Sequence, residues 1–380
     1  MASNTVSITS STQPMVILEI DGKILPIGAG IFSAVIRTDM AYTLPMLDIV
    51  ITDTIGVIGA QIKLLDGTII KCSIAPSGDS TTTPLTFKAA SIVPSKMGAV
   101  TYYHVSACMM SDLLQPKSTW VYNGSISGAF ENIITNDTTA QPVPFSTNYV
   151  STQYLDESQF KKLATESFAR YIRRVLLPCM TVTGVSYWAY YHSGYNCKVM
   201  DVLQLLANYQ YQDGMPAMTP SNFLQWSLNS DSFHKNVSNA SYGGSVWQYD
   251  AENGEWVVSA KAEGYAKYNV NKDSTVQNAQ VLTVSSSTGN HPTEYLPSIT
   301  QNVKNHGVFN VELMVQVNYA TGAEGLSILP VFYDKGKYIP FVVAGKSVIM
   351  RNGIYEEQLK LIANQIDQSV LSSLGVSVQQ

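Results

Sequence analysis

The sequence predicts a β-rich α+β protein: two small antiparallel β-barrel or sandwich blocks flanking a mixed helical insert, followed by a C-terminal helix. Three observations carry this prediction. Short apolar runs in the first third and again after residue 307 are punctuated by Gly-containing turns, the pattern of hairpins. The apolar period changes from two to about 3.6 at Ser125, which marks where helices begin. Charged residues make up 13% of the 380-residue chain, where a typical domain has roughly 25%. The missing charge is replaced by Ser, Thr, Asn, Gln and 22 tyrosines, so the surface is suited to contact with neighbours.

The elements follow in order. Met15–Ile20 and Lys23–Ile27 flank Asp21-Gly22, a dipeptide that suits the positive φ angles of a two-residue hairpin turn. Gly28-Ala29-Gly30 reads as a bend after Pro26 and before Ile31–Arg37, not as a cofactor loop. Met46–Ile51 follows as a strand. Val57–Leu65 and Thr68–Ile74 around Asp66-Gly67 read as a second hairpin. Pro76–Pro84 is a loop, and Leu85–Val93, Thr101–Met110 and Trp120–Asn123 complete a first β block over residues 1–123.

Residues 124–213 form the insert. Ser125 caps a helix whose inward stripe is Ile126, Ala129, Phe130, Ile133 and Ile134. Asp156 and Gln159 resemble a capping box for a longer helix ending before Pro178. Thr181–Tyr191 reads as a strand turned by Ser193-Gly194, and Val199–Tyr209 as a third helix. Residues 214–306 are polar and turn-rich, with one hairpin, Val246–Tyr249 and Trp256–Ala260, and a short candidate strand at Val281–Ser285. The second β block, 307–352, holds Phe309–Tyr319, a hairpin of Leu326–Tyr333 and Tyr338–Val343, and Ser347–Met350. Asn352-Gly353 then separates it from a C-terminal helix within 353–380, with Tyr355, Leu359, Ile362, Ile366 and Val370 on one face.

Chemistry-bearing motifs are absent. The histidines His104, His192, His234, His291 and His306 form no HExxH or HxH arrangement, and Cys72, Cys108, Cys179 and Cys197 lie far apart. No nucleophile elbow, phosphate loop or dinucleotide fingerprint occurs, and the Asp53/Asp66 region lacks a calcium-loop spacing. The expectation is therefore no catalytic, cofactor or metal residues, and not an enzyme. Two rivals stay open. Asp250, Glu252 and Glu255 beside Trp247 and Trp256 could serve a glycosidase. Those two tryptophans with the Tyr187–Tyr191 cluster could serve a carbohydrate-binding β protein. The net charge of −5 without a Lys/Arg cluster predicts no direct nucleic-acid binding. No apolar run reaches about 18 residues, which predicts no membrane partner. The polar, uncharged start MASNTVSITSSTQ does not read as a signal peptide, so the sequons at Asn123, Asn136, Asn236 and Asn239 read as chance matches.

The strand order resembles that of the baseplate hub proteins of contractile-tailed phages and of the hub half of type VI spike proteins. The segments VILEIDGKILPI, IFSAVIRTDMAYTLPMLDIVITD and KLLDGTIIKCSIAP carry the resemblance, with HVSACMMSDLLQPKSTWVYNGSISGAFENII and LSILPVFYDKGKYIPFVVAGKSVIMRNGIYEEQLK after them. It implies a structural role in the virion, at the tail baseplate, in a protein made in the host cytoplasm. It also implies a homotrimer whose paired barrels form a six-part ring between a threefold central spike and a sixfold tail tube or distal tail protein. On that resemblance Leu326→Asp or Ile328→Asp is expected to break the ring.

Overall fold

The computed structural model describes residues 15–76, 83–137, 143–147, 159–177, 188–230, 245–250, 255–261, 284–285, 309, 311–334 and 336–363. The first block contains β1 (Met15–Ile20), β2 (Lys23–Ile24), β3 (Ala29–Asp39), β4 (Met46–Asp53), β5 (Ile69–Ala75), β6 (Leu85–Met97) and β7 (Val100–Met109). Next come β8 (Trp120–Asn123), helix α1 (Ile126–Thr135), β9 (Phe145–Thr147) and β10 (Gln159–Lys162). Helix α2 (Phe168–Tyr171) widens into a π-helix over Ile172–Leu176 and is followed by β11 (Trp188–His192), β12 (Cys197–Asp201) and α3 (Val202–Ala207). The remainder is β13 (Gln225–Ser230), β14 (Ser245–Asp250), β15 (Glu255–Lys261), β16 (Val284–Ser285), β17 (Val311–Val317), β18 (Ile328–Asp334), β19 (Lys337–Arg351) and β20 (Ile354–Ala363).

Twelve strands join one antiparallel sheet in the order β13-β17-β20-β19-β3-β4-β7-β6-β5-β1-β2, with β18 on the free part of β19. The two β blocks are thus hydrogen-bonded to each other, through Gly345–Arg351 of β19 against Ser33–Asp39 of β3. Each block has its own apolar core. One core runs from Leu18 through Phe87 and Val105 to Tyr355, and the other is built on Leu313, Val331, Phe341 and Leu361. Burial alternates along β4 and β17, so one sheet face is dry and the other meets solvent.

The expected barrels do not close: among the described residues the sheet ends at β2 and β13 as open edges. What fills the curl of the first block is not a closing strand. It is the 54–68 loop, through Ile58, Ile62 and Leu64, together with α1 and the π-helix, through Phe130 and Ile172. The insert helices therefore share the first block's core.

Four sequence readings change. The C-terminal helix is a strand as far as it is described: β20 lies between β17 and β19, and residues 364–380 fall outside the described residues. Tyr355 and Leu359 fit a helical stripe, but they equally fit the alternating series Tyr355, Glu357, Leu359, Leu361, Ala363, all buried. Asn352-Gly353 is the hairpin turn itself, with φ of 52° and 73°. Val57–Leu65 is a loop, because the Asp53 carboxylate captures the backbone N–H groups that a strand would have paired. Gln159–Lys162 pairs with β8, and the helix begins only at Ser167, whose side chain accepts from the Arg170 N–H. The third helix starts three residues late, because Cys197–Asp201 pairs with β11 and β9.

Other expectations hold. Asp21 and Gly22 adopt φ of 48° and 74° between β1 and β2. Ser125 Oγ accepts from the Gly128 N–H at 3.2 Å, and all five predicted stripe residues of α1 are buried. The hairpins β14–β15 and β18–β19 form as read.

Candidate assembly interface

Where the blocks meet, the interior is polar. Glu357 is 1% exposed and accepts from the Thr321 N–H at 3.0 Å, the Thr321 hydroxyl at 2.6 Å and the Tyr355 hydroxyl at 2.6 Å. The Lys346 ammonium sits 2.9 Å from the same carboxylate. Thr38 of β3 donates to the Lys346 carbonyl at 2.9 Å and shares a hydrogen bond with the Tyr191 hydroxyl from the insert. Burial pushes the Tyr191 phenol well above its usual range. One buried cluster thus ties together β3, β19, β20 and β11.

The opposite sheet face crosses the junction without a break. Register aligns Met314 with Lys360, Gln358 with Ser347, Ser347 with Arg37, and Arg37 with Met46. Its charges are largely paired in place. Arg37 lies 2.6 Å from Asp48, which also accepts from the Ser106 hydroxyl at 2.7 Å. Lys360 bridges Asp39 at 3.8 Å and Glu312 at 3.3 Å beside a cleft of about 400 Å³. Burial raises the Asp39 carboxyl above its ordinary range, against the opposing pulls of the Ala41 N–H and Lys360. Gly345 lets the Asp39 side chain approach closely: a Cβ would stand 2.6 Å from its carboxylate oxygen and would make that side chain shift.

The rival sites fare unevenly. Tyr190 and Tyr191 are 0% and 2% exposed, so they pack in cores and cannot stack on a sugar; Tyr187 lies outside the described residues. Asp250 and Glu255 sit opposite each other at the end of the β14–β15 hairpin, and Glu252 lies outside the described residues. Asp53 is no calcium ligand, since both of its oxygens are occupied by the N–H groups of residues 55–58. Among the described residues no group of three metal-ligating side chains occurs. No helix there is long and apolar enough to cross a membrane. His192 is buried; its Nδ1 accepts from the Gly194 N–H at 3.0 Å, and burial lowers its pKa to about 4. Leu326 is 2% exposed in a small core with Tyr191 and Val342, and Ile328 packs partly buried against the same core.

An open antiparallel sheet with two cores, a stitched junction and a broad outer face defines a β-rich protein built on one continuous sheet. The solved structures specify the fold further. The chain is similar to the 43 kDa tail protein of prophage MuSo2 from Shewanella oneidensis. That match has a TM-score of 0.59 at 11% identity and covers 92% of this chain and 98% of that one. It is also similar to the tail protein from Neisseria meningitidis MC58, with a TM-score of 0.56 at 11% identity, covering 93% and 97%. The resemblance read from strand order therefore holds at the level of fold, that of these two tail proteins. No family model matches the sequence, and no curated protein matches it.

Proposed function

We propose that the protein is a structural hub of a phage tail baseplate, acting by assembly and not by catalysis. The observation that carries this reading is the junction. Two antiparallel β blocks, each with its own core, are fused through β3 and β19 into one sheet. Three such chains side by side would present six β blocks, which lets a threefold spike meet a sixfold tube. The near-complete coverage of a prophage tail protein and a second tail protein supports a place in the tail. The low charge suits a chain whose surface is largely covered by neighbours. On this reading the partners are two further copies, a tail tube or distal tail protein, and a central spike, with no nucleic acid and no membrane. The protein is made in the host cytoplasm and resides in the virion.

Native mass measurement tests the reading. A trimer of the 380-residue chain is the expected result, and a strictly monomeric chain across micromolar concentrations overturns it. Peptidoglycan hydrolysis that persists in the purified chain and disappears in Glu252→Gln would favour the glycosidase instead.

A further inference from the structure

One end of the first block is apolar, cationic and rigid. Register brings its parts together: Ala29 faces Asp53, Asp53 faces Thr101, and Thr101 faces Lys96. The β19–β20 turn reaches the same end, where the Asn352 N–H lies 3.4 Å from the Phe32 carbonyl. Six large apolar side chains stand in solvent there: Ile27 at 95% exposure, Met97 at 74%, Ile55 at 69%, Val93 at 56%, Phe32 at 47% and Ile354 at 45%. Scattered exposed apolar residues are ordinary, but six converging from four segments on one end form a contact patch.

The tips are preorganised. Ile55 lies over Gly28, where a Cβ would meet its Cγ1 at 2.6 Å. Asp53 pins the 55–58 loop through both oxygens, and Phe32 stacks edge-on against Tyr102 at 6.0 Å. Little ordering entropy remains to be lost on docking.

Charge indicates the occupant. In residues 26–32, 52–57, 91–102 and 351–354 the cations are Lys96 and Arg351, both exposed, and the carboxylate is Asp53, buried and committed to the backbone. The whole chain carries −5, so a second copy has carboxylates in excess of cations to offer this end. Two such ends meeting each other would oppose cation to cation, which disfavours a self-complementary twofold contact.

Resting on the hub reading, we infer that this apolar, cationic end docks on a different, acidic surface of a second copy, the head-to-tail contact that builds the ring. Ile55→Asp/Met97→Asp and, separately, Lys96→Glu are compared with wild type by light scattering after gel filtration. Leu224→Asp, a change at an exposed apolar residue just before β13, serves as control. Thermal melts confirm folding. The double variant is expected to weaken self-association at least tenfold, Lys96→Glu less and in a salt-sensitive way, and the control not at all. A photo-crosslinker at position 97 is expected to reach a different segment of the neighbouring copy. A folded double variant with the wild-type mass, or a crosslink from 97 to 97, overturns this inference and leaves the hub reading standing. A monomeric wild type overturns the hub reading itself.

Discussion

The Lys346 ammonium lies 2.9 Å from the Glu357 carboxylate at the seam between the two β blocks, and Glu357 is almost fully buried. Three further donors, from Thr321 and Tyr355, saturate that carboxylate. Such an ion pair adds little net stability compared with apolar packing, but losing one partner strands the other. Glu357→Ala should cost about 3–5 kcal/mol in urea unfolding, since it removes the buried carboxylate that the Lys346 ammonium and three hydrogen-bond donors share. Lys346→Met combined with Glu357→Ala should cost less than the sum of the two single changes, and a strictly additive cycle would contradict the coupling.

Acid should loosen the insert through His192. Its folded pKa is about 4, below the ordinary 6.5 of an exposed histidine, because burial disfavours the imidazolium and nearby Asp137 only partly offsets this. Between those values the unfolded chain binds the extra proton, so stability falls as pH drops through 6.5 and levels off near 4. The loss amounts to about 3 kcal/mol over that window. His192→Gln should flatten this part of the stability profile. Equal slopes for wild type and variant between pH 6.5 and 4.5 would rule the effect out.

Lys162 is fully buried with its ammonium 2.8 Å from the Glu166 carbonyl and 3.0 Å from that of Leu163. The Ser118 carbonyl stands at 3.3 Å, and the Phe168 ring centre is 4.7 Å from the nitrogen. Desolvation lowers its pKa, yet the carbonyls and the ring receive the charge. Lys162→Met keeps the stem and removes the donor that the Glu166, Leu163 and Ser118 carbonyls share, and should cost about 3 kcal/mol. A denaturation midpoint unchanged from wild type would show that water replaces the ammonium.

Local chemistry was legible in the sequence, and long-range register was not. Ser125 announced α1 because cap and stripe are encoded within ten residues, and both appear as read. The two Asp-Gly dipeptides show the limit. Asp21-Gly22 turns a hairpin, whereas Asp66-Gly67 leads from a loop into β5, where Thr68 Oγ1 accepts from the Leu65 N–H at 2.9 Å and β5 pairs with β1 and β6 instead. The dipeptide allows a turn, but distant strands decide what it joins. β20 was misread because Glu357 interrupts its apolar alternation, and only the partner Lys346 in β19 explains a carboxylate facing inward. The outer face was invisible for the same reason: Arg37 meets the Ser347–Gln358 hairpin row through a pairing more than 300 residues apart in sequence.

Asp53 offers the sharpest test of how the apolar end is held. Its Oδ1 accepts from the N–H groups of Ile55, Gly56 and Val57, at 3.3, 2.8 and 3.0 Å, and its Oδ2 from that of Ile58 at 2.9 Å. A carboxylate can serve four donors because it is an acceptor on both oxygens; an amide has one acceptor oxygen, so Asn can keep the three donors on Oδ1 but turns its NH₂ toward the Ile58 N–H. Asp53→Ala should therefore cost about 3 kcal/mol or more, and Asp53→Asn less than Ala but still a measurable loss. If the loop holds the Ile55 tip in place for docking, hydrogen exchange at residues 55–58 should rise in both variants. Self-association should weaken even at temperatures where the core of the first block stays folded. Fast exchange with unchanged association would separate the loop from the contact; slow exchange in both variants would show that the carboxylate is not what orders it.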